Sequence, residues 1–158
     1  MKTKMLTIAS CALLLLMAGC KKEENNEIKS LTANETRPTW VAPDEYDYTS
    51  SMTAVIRVNL TEQYPAEAAD FAVNDDDLLG AFIGEECVGT AVLQDGLFFL
   101  YVAGPKEPTE GEQMVSLKYW SKQYTNIFEA ANAFAFVNDG NRGTVASPFV
   151  PAFVVKGK

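Results

Sequence analysis

Between positions 51 and 60 apolar and polar side chains alternate. Met52, Ala54, Ile56, Val58 and Leu60 fall on one side, and Thr53, Arg57 and Asn59, with Val55, on the other. A period of two with one apolar side predicts a half-buried strand. Positions 78–103 carry three apolar runs separated by Gly84-Glu85 and Asp95-Gly96, dipeptides suited to two-residue hairpin turns of types II′ and I′. These turns predict a meander and set its register: Phe82 opposite Cys87, Gly80 opposite Gly89, Leu78 opposite Ala91, Leu93 opposite Phe98 and Ala91 opposite Leu100. Phe82, Cys87, Leu93, Phe98, Leu100 and Val102 then share one uncharged face, assigned to the core, while Thr90, Gln94, Phe99 and Tyr101 lie on a mixed opposite face. Gly80 and Gly89, opposed on the core face, leave a groove for a bulky side chain such as Trp40 or Tyr119.

Positions 113–120 alternate again, with Val115, Leu117 and Tyr119 against Ser116, Lys118 and Trp120. Positions 124–128 are the expected hairpin partner, after a turn at Ser121-Lys122-Gln123. Runs at 133–137 and 149–155 close the chain, and Pro148 and Pro151 favour an edge position for the last strand. Only positions 64–72, with Pro65 at a first helical position, read as one or two helical turns. Many short strands with turn signals and no long stretch of period 3.6 predict an all-β fold, an antiparallel β-sandwich of immunoglobulin-like or similar type.

The first residues read as an address. Lys2 and Lys4 precede an apolar run from Leu6 to Met17, too short to span a bilayer. The run ends in Leu16-Met17-Ala18-Gly19-Cys20, which resembles the bacterial lipobox, where small residues precede a Cys that takes diacylglycerol and palmitate. The expected organisation is a lipoprotein signal peptide at 1–19, a lipid anchor on Cys20 with a disordered tether over 20–37, and a β-sandwich domain over 38–158. Positions 21–37 hold eight charges, no aromatic residue and only Ile28 and Leu31 as large aliphatics, a composition that cannot offset the entropy of ordering. The acidic pair Glu23-Glu24, close behind Cys20, is similar to the export signal of Bacteroidota surface lipoproteins. That resemblance implies an outer-membrane lipoprotein displayed at the cell surface.

The charge balance narrows the partners. The 158 residues include 13 Lys and Arg, 21 Asp and Glu and no His, a net charge of -8. Loss of Lys2 and Lys4 with the leader deepens this to -10. Nucleic acid needs clustered cations on one face and is excluded as a partner. The absence of His removes Ser-His-Asp and Cys-His catalysis and imidazole metal sites. Of the three cysteines Cys11 leaves with the leader and Cys20 is lipidated, so Cys87 is expected to have no disulfide partner within the chain.

Trp40-Val-Ala-Pro43, Tyr48 to Thr53, the block from Leu79 to Gly89, and Phe136 with Asp139 and Gly143 together resemble a β-sandwich module of Bacteroidota surface lipoproteins and secreted multidomain proteins. The resemblance covers 40–155 and implies a fold and a location. It brings no defined activity.

Three groups of residues carry candidate chemistry. Asp75, Asp76 and Asp77 follow Asn74 in one loop and offer the hard oxygens that calcium uses, without the spaced pattern of an EF-hand. A solvated, capping turn is the simpler reading, and Asn138-Asp139-Gly140-Asn141 is a second such turn; calcium gains weight only where the two loops meet. Trp120, on the polar side of its strand, and Tyr124, across the next turn, make an aromatic platform for a sugar or a protein, with burial of Trp120 as the competing expectation. Glu85 and Glu86 are adjacent on a strand and point to opposite faces, so they do not flank one glycosidic bond. Cys87 lacks a cationic neighbour to lower its pKa and reads as a buried hydrophobe. The expected function is a non-catalytic, surface-anchored binding or adhesion module for a glycan or protein, attached to the membrane through Cys20. The alternative is a structural or assembly subunit of an envelope complex.

Overall fold

The computed structural model describes residues 30–44, 47–105 and 112–156. The leader, Cys20, Glu23-Glu24 and the first part of the tether lie outside the described residues. Among the described residues ten strands, β1 Ser51–Ile56, β2 Leu78–Ile83, β3 Glu86–Thr90, β4 Val92–Gln94, β5 Leu97–Ala103, β6 Met114–Ser121, β7 Asn126–Ala130, β8 Phe134–Ala135, β9 Asn141–Arg142 and β10 Phe153–Val155, form two facing sheets. Sheet A has the order β4-β5-β1-β9 and sheet B the order β10-β7-β6-β2-β3, with β8 pairing on β6 beyond the end of β7. All pairs are antiparallel except β1 with β9. The chain is an all-β sandwich.

Both hairpin turns form where the dipeptides placed them. Gly84 has φ 60 and closes the pair Ile83–Glu86, while Asp95 and Gly96 both have positive φ and close the pair Gln94–Leu97. These are the backbone signs of types II′ and I′. Phe82 faces Cys87 and Leu93 faces Phe98, as the turns require.

Beyond Phe82 the register slips. Ala81 pairs with Gly89 and Gly80 with Thr90, so Val88 is the extra residue of a bulge and Gly80 does not oppose Gly89. Val88 is buried against the core, and the residues on either side of it change faces accordingly. The meander is then divided: β2 and β3 belong to sheet B, and after Ala91 the chain enters sheet A as β4 and β5. Phe98, Leu100 and Val102 face the core as expected, with Leu93 partly buried against it. Phe82 and Cys87 instead face outward from sheet B. Phe82 is buried there under another part of the chain.

The core lies between β1 and β5 of sheet A and β2, β6, β7 and β10 of sheet B. Met52, Ala54 and Ile56 meet Leu79, Ala81, Val115, Leu117, Tyr119, Phe128 and Phe153. Tyr119 is its aromatic centre, with ring centroids of Phe98, Phe128 and Phe153 at 6.0, 6.2 and 5.6 Å. Gly89 sits against β5, where a Cβ would lie 2.3 Å from the carbonyl oxygen of Tyr101, so the glycine lets the two sheets touch at this corner. β10 is the edge strand that the flanking prolines favoured.

Three expectations change. The β6–β7 connection runs over Lys122–Thr125, longer than expected, with Thr125 at φ 44 and Ser121 facing Asn126. Residues 64–72 form turns rather than a helix, with single i to i−4 bonds from Tyr64 to Leu60 and from Ala68 to Tyr64. The last part of the expected tether is docked: Leu31 joins the core cluster, its carbonyl accepts from Asn126 Nδ2 at 2.7 Å, and the Glu35 N–H donates to Thr125. One aliphatic side chain and three backbone-directed bonds, including Ala33 N–H to Tyr124, offset the ordering that charge composition alone disfavours.

Candidate functional site

The two outer faces differ. On sheet B, side chains at alternate positions of β2 and β6 leave Gly80, Phe82, Lys118 and Trp120 on the outside, and a strap from Arg37 to Trp40 crosses three of them, Gly80, Phe82 and Trp120. Trp40 meets Phe82 edge-on with centroids 5.5 Å apart and lies against Gly80. Arg37 stacks over Trp120 at 5.9 Å and donates to the Asp76 carbonyl at 3.1 Å. Lys118 caps the Phe82 ring at 4.6 Å and pairs with Glu129, which Lys156 also approaches. The charges here are turned toward each other.

The Trp120–Tyr124 platform is therefore not exposed. Trp120 is 2% exposed and Tyr124 7%, because the strap covers the former and the core takes the latter. Tyr124 stacks on Phe71 and meets Phe128 edge-on. Burial, then the Asp70 charge, pushes the Tyr124 phenol up.

The acidic loop is divided in the same way. Asp77 is buried, and its oxygens are taken by protein donors: Tyr119 Oη, the Asn74 N–H at 2.8 Å and the Lys122 N–H at 2.7 Å. It closes the turn before β2 and fastens it to the end of β6. Burial first, and then the charge and hydrogen bond of Asp77, hold the Tyr119 phenol far above the ordinary tyrosine range. Asp75 and Asp76 are exposed, and the Asp76 N–H donates to Asn74 Oδ1 in an Asx turn. Among the described residues no group of three or more Cys, Asp and Glu side chains is arranged to hold a metal. The 74–77 loop is tied to β6, whereas the 138–141 loop is tied to β1 through Asn138 to Ser51 and Asn141 to Thr53. Cys87 is half-buried on the outer face of sheet B, and burial pushes its thiol up, which opposes nucleophilic use.

The outer face of sheet A is open at Thr53, Tyr101, Val92 and Asn141, half-buried at Phe99 and buried at Val55. Val55 pairs with Phe99 and Thr53 with Tyr101 across β1 and β5, Val92 pairs with Phe99 from β4, and Asn141 pairs with Thr53 from β9. These side chains share one face. All but Val92 line a shallow hollow of about 360 Å³. Tyr101 is 51% exposed and Val92 67%. Tyr101 Oη donates to Ser51 Oγ at 2.7 Å, Asn141 Nδ2 donates to Thr53 Oγ1 at 3.0 Å, and the Tyr48 ring lies 6.0 Å from Tyr101. The hydrogen bonds and the Tyr48 contact restrain the rim. Sequence alternation had put Phe99 and Tyr101 opposite the core but gave no reason to prefer them to Trp120. What distinguishes Tyr101 is its exposure, since it meets solvent where Trp120 is covered. Compared with known proteins, the chain matches no family model, no curated protein and no solved structure.

Proposed function

We propose that this chain is a non-catalytic binding or adhesion module, held at the outer surface of a bacterial envelope by a lipid on Cys20, and that it binds through the outer face of sheet A. The observation that carries the reading is the asymmetry of the sandwich. Arg37 and Trp40 lie over Trp120, Gly80 and Phe82 on one outer face, and the other offers Tyr101 and Val92 to solvent with Phe99 half-buried beside them. Exposed aromatics on a rigid element bind with little loss of side-chain entropy and supply most of the energy of many interfaces. The leader, the lipobox resemblance and the acidic residues after Cys20 support the location. A β-sandwich module of Bacteroidota surface lipoproteins is the family reading that goes with it.

The test is capture of the full chain on coats of mucin and of a serum glycoprotein. Tyr101→Ala lowers capture at least tenfold while Glu85→Gln leaves it unchanged. Failure to bind either coat, or binding indifferent to Tyr101, contradicts the reading. Val150 and Val154, exposed at and near the edge strand β10, favour a second reading as an assembly subunit of an envelope complex. In that case an envelope protein co-purifies with the wild type and is lost in Val154→Lys.

A further inference from the structure

We infer that the hollow on sheet A takes an uncharged saccharide. This rests on the binding reading above and names its ligand class. The chain carries 34 charged residues among 158 and a net charge of -8, yet Thr53, Val55, Phe99, Tyr101 and Asn141, whose side chains line the hollow, carry none. An anionic ligand finds no cation there and meets the acidic field of the whole chain. A cationic ligand finds no carboxylate in the hollow. A wholly apolar partner would cover Asn141, Thr53 and Ser51 and leave their polar atoms without water or partner, at the cost that buried unpaired groups carry.

A pyranose ring meets both demands. Its axial C–H face is apolar and flat enough to lie on Tyr101 or Phe99, and its equatorial hydroxyls reach sideways as donors and acceptors. Asn141 Nδ2 has one N–H directed to Thr53 Oγ1, while the side chain is exposed, so the amide oxygen and the second N–H remain to bind a diol edge. The Tyr101 hydroxyl proton is committed to Ser51 Oγ, which leaves its oxygen as an acceptor. The hollow is open and shallow, a shape for one or two sugar units within a longer chain rather than for an enclosed small molecule.

The experiment is native gel retention of the full chain in gels containing dextran, mannan or xyloglucan as neutral polymers and polygalacturonate as an anionic one. The expected result is retention by at least one neutral polymer and none by polygalacturonate. Tyr101→Ala and Asn141→Ala each weaken retention at least tenfold, with thermal midpoints near the wild type because both side chains are exposed. No retention by any neutral polymer, retention by polygalacturonate alone, or retention that survives Tyr101→Ala overturns the inference. If the mucin or glycoprotein coat captures the chain through Tyr101 while no neutral polymer retains it, the saccharide class falls and the binding face stands. If Tyr101 matters to neither, both fall.

Discussion

The indole of Trp40 lies across Gly80, its Cε3 2.9 Å from the place a Cβ would occupy. A glycine in the middle of β2 is unfavourable for the strand by itself, and here it admits the aromatic ring that seals sheet B. Gly80→Val must push Trp40 off the sheet and is expected to cost about 1–3 kcal/mol through overpacking. Trp40→Ala lowers stability by a similar amount. The two changes are strongly non-additive in a double-mutant cycle measured by urea unfolding, since each removes the same contact.

Trp120→Ala is expected to cost about 3–5 kcal/mol, the range for truncating a buried aromatic. Thermal unfolding reads this directly. A shift as small as that of Tyr101→Ala would mean that the strap does not hold Trp120 down.

Asp77 is a fastening residue. Asp77→Ala leaves the buried Tyr119 hydroxyl and two backbone N–H groups without their acceptor, and about 3 kcal/mol of stability is lost. Asp77→Asn recovers part of this, because one oxygen remains but the amide N–H₂ meets a donor. Both Asp77 oxygens are already occupied, so millimolar calcium leaves the melting temperature unchanged, as measured by calorimetry with and without a chelator.

Alkaline pH acts through Tyr119. The unfolded phenol ionises near pH ~10, while the folded one keeps its proton well above that. Above pH ~10 the folded state therefore binds more protons than the unfolded one, and stability falls by about 1.4 kcal/mol per pH unit per such tyrosine. Below pH ~10 the contribution is complete. Urea midpoints taken between about pH 9 and 11 should fall steeply in the wild type and less steeply in Tyr119→Phe. Equal slopes would contradict the assignment.

Much of the sandwich was legible because turn chemistry is local. Gly84-Glu85 and Asp95-Gly96 announce their own backbone angles, and the alternation at Met52, Ala54 and Ile56 needs only one apolar face. The bulge at Val88 was not legible, since a single extra residue leaves no mark in composition and reverses the face of everything beyond it. Nor was the fate of Trp120. Period-two patterning separates inside from outside only when one face meets water, and at Trp120 sheet B is covered on both. The covering segment, Arg37-Pro-Thr-Trp40, is too short to show a period, and its docking depends on long-range contacts with Gly80, Phe82 and Trp120 that no local window contains. The proposed binding face was half legible: Phe99 and Tyr101 were placed outside the core, but only the fold shows that Trp120 on the other outer face is covered.

The most direct test of a sealed face and an open one is hydroxyl-radical footprinting of the full chain, alone and on a mucin coat. The account predicts that Tyr101 is oxidised rapidly in the free chain and protected on mucin, while Trp120 stays unreactive in both. Rapid oxidation of Trp120 in the folded chain, or a Tyr101 rate unchanged by mucin, would contradict it.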